Sequence, residues 1–95
     1  MAQTTILAAG QSAASSSTFT VDAGSSATVS IQASSGSIPG SAILPVLLKQ
    51  GSGWRAVGSL SRDVWNHVVS GPGEFRVDRS DIAHLGVDVA VLLDA

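Results

Sequence analysis

The stretch Ser70–Asp78 constrains the fold of this chain more than any other. It joins a Gly-Pro-Gly turn at residues 71–73 to a segment in which Phe75 and Val77 alternate with charged residues. Glycine and proline mark a tight reversal, and alternation with a period of two is typical of a half-buried β-strand. The chain is therefore expected to build its fold from strands and turns.

Other segments repeat this alternation, with turn signals about every 8–12 residues. Strands are predicted at Thr18–Asp22, Ala27–Gln32, Ala42–Gln50, Trp54–Gly58, Asp63–Val69 and Leu85–Leu93. With almost no helical periodicity, the pattern predicts an all-β protein. Its expected architecture is an antiparallel β-sandwich, Ig-like or jelly-roll-like, of about seven or eight short strands. Residues 17–95 form the predicted sandwich domain, and residues 1–16 an N-terminal arm or first strand.

Several local features refine this prediction. Two alternating runs around the glycine-containing turn at residues 23–26 predict a hairpin, and residues 50–53 predict a second one. Pro45 interrupts an apolar run and favours a strand in which it occupies an edge position or a bulge. Pro39-Gly40 predicts a turn within a long loop at residues 34–41. Residues 80–84 are compatible with one helical turn capped by Ser80.

The predicted core collects the apolar residues on the inward face of each strand. Its members are Phe19, Val21, Val29, Ile31, Leu44, Val46, Leu48, Trp54, Val68, Phe75, Val77, Val87, Val89 and Val91. This is a thin core for a lone domain, because small domains bury a smaller share of their surface. Small domains commonly gain further buried surface by associating with other copies, and a homo-oligomer is predicted.

Composition excludes several classes of function. The formal net charge of −2 argues against neutralising nucleic-acid phosphates, and no nucleic-acid partner is expected. There is no cysteine, and so no disulfide framework or thiolate metal site. The sequence contains no run of 18 apolar residues, and so no membrane span is predicted. Its first residues lack the basic and apolar regions of a signal peptide. If the protein works outside a cell, release by lysis, as for a virus particle, would fit these features.

Charge is unevenly distributed along the chain. Asp22 is the only charged residue before Lys49, although the whole sequence has 12 charged residues. For residues 1–16, two interpretations stay open. One is a floppy polar arm; the other is a weakly charged surface that packs against copies of the chain or a partner, because interface cores are depleted in charge.

Catalytic and metal sites are not expected. His67 and His84 are the only histidines, and no Gly-x-Ser-x-Gly elbow accompanies them. Asp78, Asp81 and His84 have a spacing of three, but no second cluster completes a metal site, and aspartate is a common turn former. The glycine-rich turns lack the lysine and helix of a phosphate loop. No enzyme activity and no cofactor is predicted.

The few aromatic residues could form a binding surface. Trp54 with Arg55, and Trp65, could stack against sugars or single-stranded nucleic acid. The alternative is that one tryptophan fills the core and the other sits at a subunit contact. Together with Ile6 and Leu7, these three residues are the candidate interface residues.

The second half of the chain resembles small β-sandwich virion proteins of tailed bacteriophages. The resemblance spans about residues 42–90. It is carried by a Gly-Trp-x-x-Val hairpin at residues 53–57, the Gly-Pro-Gly turn with its following strand at 71–77, and Gly86-Val87. That family often has tyrosine where this chain has Phe75, which cannot donate a hydroxyl hydrogen bond. No site residues carry over from the family.

The resemblance implies a structural protein of the virion, made in the host cytoplasm. Such proteins look like head decoration (cement) or fibre-base components, and the implied partners are the major capsid protein or another virion protein. The resemblance also favours a trimer. The alternative function is a recognition module, adhesin-like or fibre-like, that binds a carbohydrate or peptide through the Trp54-Arg55 hairpin or the loop at residues 34–41.

Overall fold

The computed structural model describes residues 3–33, 43–82 and 87–94, and these residues form strands, turns and loops. The strands are β1 (Gln3–Gly10), β2 (Ala14–Ser15), β3 (Phe19–Val21), β4 (Ser26–Ala33), β5 (Leu44–Gln50), β6 (Gly53–Leu60), β7 (Asn66–Ser70), β8 (Gly73–Arg79) and β9 (Val89–Asp94). The predicted all-β class is confirmed. Within the described residues, no helix is long and apolar enough to cross a membrane.

The strands form two antiparallel sheets. Sheet I has the order β1-β9-β4-β7. Sheet II has the order β2-β8-β5-β6, and β3 pairs with the same edge of β8 as β2 does, farther along the strand. Apart from the β5–β6 hairpin, successive long strands alternate between the two sheets. This alternation is the topology of a jelly roll, with β2 and β3 serving together as one interrupted strand.

One predicted hairpin is confirmed and one is wrong. β5 and β6 pair antiparallel around residues 51–52, where Gly51 has a positive φ of 61°. The β3–β4 hairpin does not exist, because β3 pairs with β8 in sheet II while β4 pairs with β7 and β9 in sheet I. A glycine turn between two alternating runs fixes a reversal of the chain, but it does not fix whether the second strand stays in the same sheet.

The core lies between the sheets. Its buried members include Val29, Leu44, Val46, Val77, Val89 and Val91, all with no exposed surface. Phe19 stacks on Phe75 with ring centroids 5.8 Å apart. Two predicted core residues are elsewhere. Trp54 lies on the outer face of sheet II, paired with Lys49, and Val68 is 59% exposed while its neighbour Val69 is buried.

The remaining local predictions have mixed outcomes. Pro45 lies in β5 opposite Ser59, one residue before a bulge and before the pairing of β5 with β8 begins. Residues 80–82 are not helical. The residues of the predicted 34–41 loop, and residues 83–86 with His84, lie outside the described residues. The last strand begins at Val89, later than the predicted Leu85.

Two crossings between the sheets pack on each other at one end of the sandwich. One joins β3 to β4 and the other joins β7 to β8 through the Gly-Pro-Gly turn, whose Gly71-Pro72 peptide is cis. The Gly71 nitrogen donates a hydrogen bond of 3.1 Å to the Ser25 carbonyl. A side chain at position 71 would meet the carbonyl oxygens of Val21 and Asp22. Glycine is therefore required for the close approach of the two crossings.

A buried arginine joins the sheets at another place. Arg79, at the end of β8 in sheet II, is only 5% exposed. Its Nη1 donates to the Ala8 carbonyl in β1 at 2.9 Å and to the Val89 carbonyl in β9 at 2.6 Å, both in sheet I. Its Nε donates to the Ser12 carbonyl at 2.8 Å. The guanidinium therefore satisfies three backbone acceptors that would otherwise lack these donors.

Candidate functional site

The two sheets differ sharply in charge. The four strands of sheet I contain one formally charged side chain, Asp94, at the end of β9. The strands of sheet II contain six: Lys49, Arg55, Glu74, Arg76, Asp78 and Arg79. Because charged groups are costly to desolvate, sheet I presents the surface that is easier to cover with another protein.

The outer face of sheet I combines hydroxyl and aliphatic side chains, with Asp94 beside Thr28. In β4, Val29 and Ile31 face the core, and so Thr28 and Ser30 face outward. The strand register places Thr28 beside Val68 and Ser30 beside Leu92, and Leu92 in turn lies beside Thr5. All five are half-buried or exposed. We call the five residues Thr5, Thr28, Ser30, Val68 and Leu92 the sheet I face.

The β1 edge of sheet I is partly covered by the chain itself. The Ser17 nitrogen donates to the Ile6 carbonyl at 2.9 Å, and Arg79 donates to the Ala8 carbonyl. Ile6 is 9% exposed and belongs to the core, and Leu7 packs against that core. The structure therefore packs these two candidate interface residues against the core, and part of the edge around them is occupied.

The opposite edge of sheet I is β7. Its described partner is β4, and no other strand of the described residues pairs with it. Beside it, on the inner side, a pocket of about 240 Å³ opens between the sheets. The pocket is lined by Leu48, Val57, His67, Val68, Val69, Ser70, Pro72 and Phe75. Six of these eight residues are apolar, and His67 and Ser70 add polar side chains.

The outer face of sheet II contains a connected polar cluster. The Arg76 guanidinium lies 4.5 Å from the centre of the Trp54 ring, and its Nε is 3.1 Å from Asp78 Oδ1. Lys49 Nζ lies 3.9 Å from Glu74 Oε1. Opposite charges and the aromatic ring hold Arg76 in place. A half-exposed tryptophan beside a fixed guanidinium can stack against a flat or polar ligand.

Two other candidate interface residues, Arg55 and Trp65, lie outside this cluster. Arg55 is exposed in β6, opposite Leu48 of β5. Trp65 is half-buried and packs against the core, and its Nε1 donates to the Arg62 carbonyl at 2.7 Å. The structure does not bring the two tryptophans together as a single stacking platform: one lies on the outer face of sheet II and the other at the core.

His67, the histidine in the described part of the chain, packs against β6. A side chain at Gly58 in β6 would meet Cε1 and Nε2 of His67, each at 2.5 Å, and so the imidazole lies directly on the glycine backbone. Within residues 3–33, 43–82 and 87–94, no three His, Asp or Glu side chains come together as metal ligands would. His84, the other histidine of the sequence, lies outside this part of the chain.

Sequence patterns indicated part of this arrangement. The scarcity of charge before Lys49 left two interpretations open for residues 1–16, a polar arm and a weakly charged surface. In the structure, β1 joins β4, β7 and β9 in a sheet of low charge. The open edge at β7 was not predicted. Comparison of the chain with models of known protein families, with curated proteins and with solved structures found no match.

Proposed function

We propose that this chain is a non-enzymatic structural protein that acts by associating with copies of itself and with a larger protein assembly. The observation that carries the proposal is the low charge of sheet I, whose strands contain Asp94 as their one formally charged residue. Surfaces that become buried between proteins are depleted in charge, whereas surfaces that stay in water are not.

The assembly that fits the sequence resemblance is the virion of a tailed bacteriophage, with the major capsid protein or another virion protein as partner. Decoration of a capsid requires a compact domain and a surface that can be covered, and it requires no cofactor. Jelly rolls are found in viral capsid domains and also in lectins, and the fold alone does not choose between them. The resemblance favours a trimer as the homo-oligomer.

A charge placed on the sheet I face tests the proposal. Val68→Lys sets an ammonium on this face beside Thr28, and covering it would require its desolvation. We expect the dissociation constant of the homo-oligomer to rise by about tenfold or more, equivalent to about 1.4 kcal/mol. Light scattering behind a sizing column, over a dilution series, measures the change.

The matched control is Thr20→Lys. Thr20 is exposed on the outer face of sheet II and pairs with Glu74, whose carboxylate can form an ion pair with the new ammonium. This variant is expected to keep the mass of the unaltered protein. A protein that is monomeric at every concentration would refute self-association, and equal dissociation by both lysine variants would show that the sheet I face is not the contact.

The second candidate function is a recognition module, and the Trp54–Arg76 cluster favours it. Aromatic faces stack against sugars and peptides, and Arg76 can donate hydrogen bonds beside the ring. Under this function, a glycan or peptide panel is expected to shift the tryptophan fluorescence of a Trp65→Phe variant, in which Trp54 is the only fluorophore of its kind. Trp54→Ala should remove binding, and a panel without any response would count against this function.

A further inference from the structure

We propose that the open edge strand β7 pairs antiparallel with β7 of a second copy, about a twofold axis that passes through Val68. The inference rests on the proposed function, since it names the contact through which self-association occurs. It is independent of which larger assembly the protein joins.

The first argument is the chemistry of the β7 edge. Unpaired edge strands offer free backbone donors and acceptors, and proteins that stay monomeric protect such edges with charges, proline, bulges or a covering segment. β7 has the sequence Asn-His-Val-Val-Ser, which contains no formally charged residue and no proline. Its pairing with β4 is regular over residues 66–70, without a bulge. Among the described residues, β7 therefore lacks each of these protections.

The second argument is the position of Val68. It is the central residue of β7, and at 59% it is the most exposed of the large hydrophobic side chains in the described residues. Val68 faces outward beside Thr28 of β4. An exposed valine of this kind gains by contact with another apolar side chain, and β-branched pairs across strands stabilise a sheet.

The third argument is the register that the twofold axis produces. With Val68 opposite Val68 of the other copy, His67 lies opposite Val69 and Asn66 opposite Ser70. The pairs are apolar at the centre and polar at the ends, and no like charges face each other. The contact is isologous, with each copy contributing the same five residues.

The other edge of sheet I does not offer the same opportunity. Along β1, the carbonyls of Ile6 and Ala8 already accept hydrogen bonds from Ser17 and Arg79. Pairing at β7 instead joins two four-stranded sheets into one continuous sheet across both copies. It brings the two sheet I faces side by side. A twofold contact predicts a dimer, whereas the sequence resemblance favours a trimer.

The absence of cysteine permits a direct test by cross-linking. Val68→Cys places one thiol on the proposed axis. Directly opposed residues of antiparallel strands have Cα atoms about 4.5–5.5 Å apart, within the range of a disulfide. Two controls match it. Thr28→Cys lies on the same face, where the axis separates the two thiols by three strand spacings, about 14 Å. Thr20→Cys, exposed on sheet II, measures collisional cross-linking.

Under mild oxidation, Val68→Cys is expected to form a covalent dimer about tenfold or more faster than either control, because pairing raises the effective concentration of its thiols. Val68→Lys, at the same exposed position, is expected to give a folded monomer by circular dichroism and light scattering.

An unaltered protein that is oligomeric, with the Val68→Cys variant cross-linking no faster than the controls, would overturn the β7 contact and leave the proposed function standing. Faster cross-linking of Thr28→Cys than of Val68→Cys would also overturn it and would indicate face-to-face packing of the sheets. An unaltered protein that is monomeric throughout would overturn both proposals.

Discussion

Replacing Arg79 by methionine is expected to lower the free energy of unfolding by about 3 kcal/mol. Methionine keeps an unbranched apolar stem in the space between the sheets but removes every donor. The carbonyls of Ala8, Ser12 and Val89 then lose their hydrogen bonds to the guanidinium inside the protein. Only the Val89 bond is fully buried, and a stranded buried acceptor costs about 1–3 kcal/mol, partly offset because a buried cation no longer needs desolvation. The loss is large against a typical total of about 5–15 kcal/mol.

Urea unfolding followed by circular dichroism measures this change. Arg55→Met is the matched control, because Arg55 is exposed and its loss should alter the free energy of unfolding by no more than about 0.5 kcal/mol. If both variants unfold at the same urea concentration, the three hydrogen bonds of Arg79 do not stabilise the sandwich. The slope of the transition should stay constant, showing that the surface exposed on unfolding is unchanged.

Replacing Gly71 by alanine is expected to destabilise the fold by more than about 3 kcal/mol. A methyl group at this position would lie within 2.5 Å of the Val21 carbonyl oxygen and would overlap the Asp22 carbonyl as well. These atoms belong to the backbone of the β3–β4 crossing and cannot rotate away as a side chain can. The two crossings must therefore move apart, with loss of the hydrogen bond between Gly71 and Ser25.

Two other glycines calibrate this result in the same unfolding experiment. Gly53→Ala meets one atom, at 4.0 Å, and it should change stability by less than about 0.5 kcal/mol. Gly24 has open space around it but a φ of +81°, so Gly24→Ala should cost about 1–2 kcal/mol through backbone strain alone. An alanine at position 71 that costs no more than the one at position 24 would show that the crossings can separate easily.

Period-2 alternation predicted the strands and their inward faces well, because burial on one side of a sheet imposes that pattern directly. Phe75 and Val77 face the core as expected. The pattern failed where neighbouring residues are equally apolar. In the pair Val68-Val69, either residue could be the buried one, and the sequence offers no local preference between them.

Sheet membership could not be predicted from the same pattern. The turn at residues 23–26 suits a hairpin and a crossing between sheets equally well, since both reverse the chain. The choice depends on the distant partners β8 and β9, which compete for the edges of β3 and β4. The β5–β6 hairpin was predictable because its two long strands are separated by a very short turn.

Arg79 shows a signal that was present but easily overlooked. It continues the inward phase of Phe75 and Val77, two residues farther along β8, and that phase alone predicts a buried position. Arginine at a strand end is usually solvated, and the partners that make its burial tolerable are backbone carbonyls from distant parts of the chain. The partly occupied edge at β1, on which the assignment of β7 depends, could not be inferred without these contacts.

The unequal edges of sheet I limit how large an assembly built from it can become. A sheet with two free edges can accept strands on both sides, and copies can then add without end into a fibre. Here the hydrogen bonds from Ser17 and Arg79 occupy part of one side, and in the described part of the chain one unobstructed side is left at β7. When β7 of a second copy pairs with this edge, the β7 edges of both copies are occupied and the sheet stops growing. By occupying the Ala8 carbonyl, Arg79 therefore also hinders strand addition at the β1 edge of sheet I.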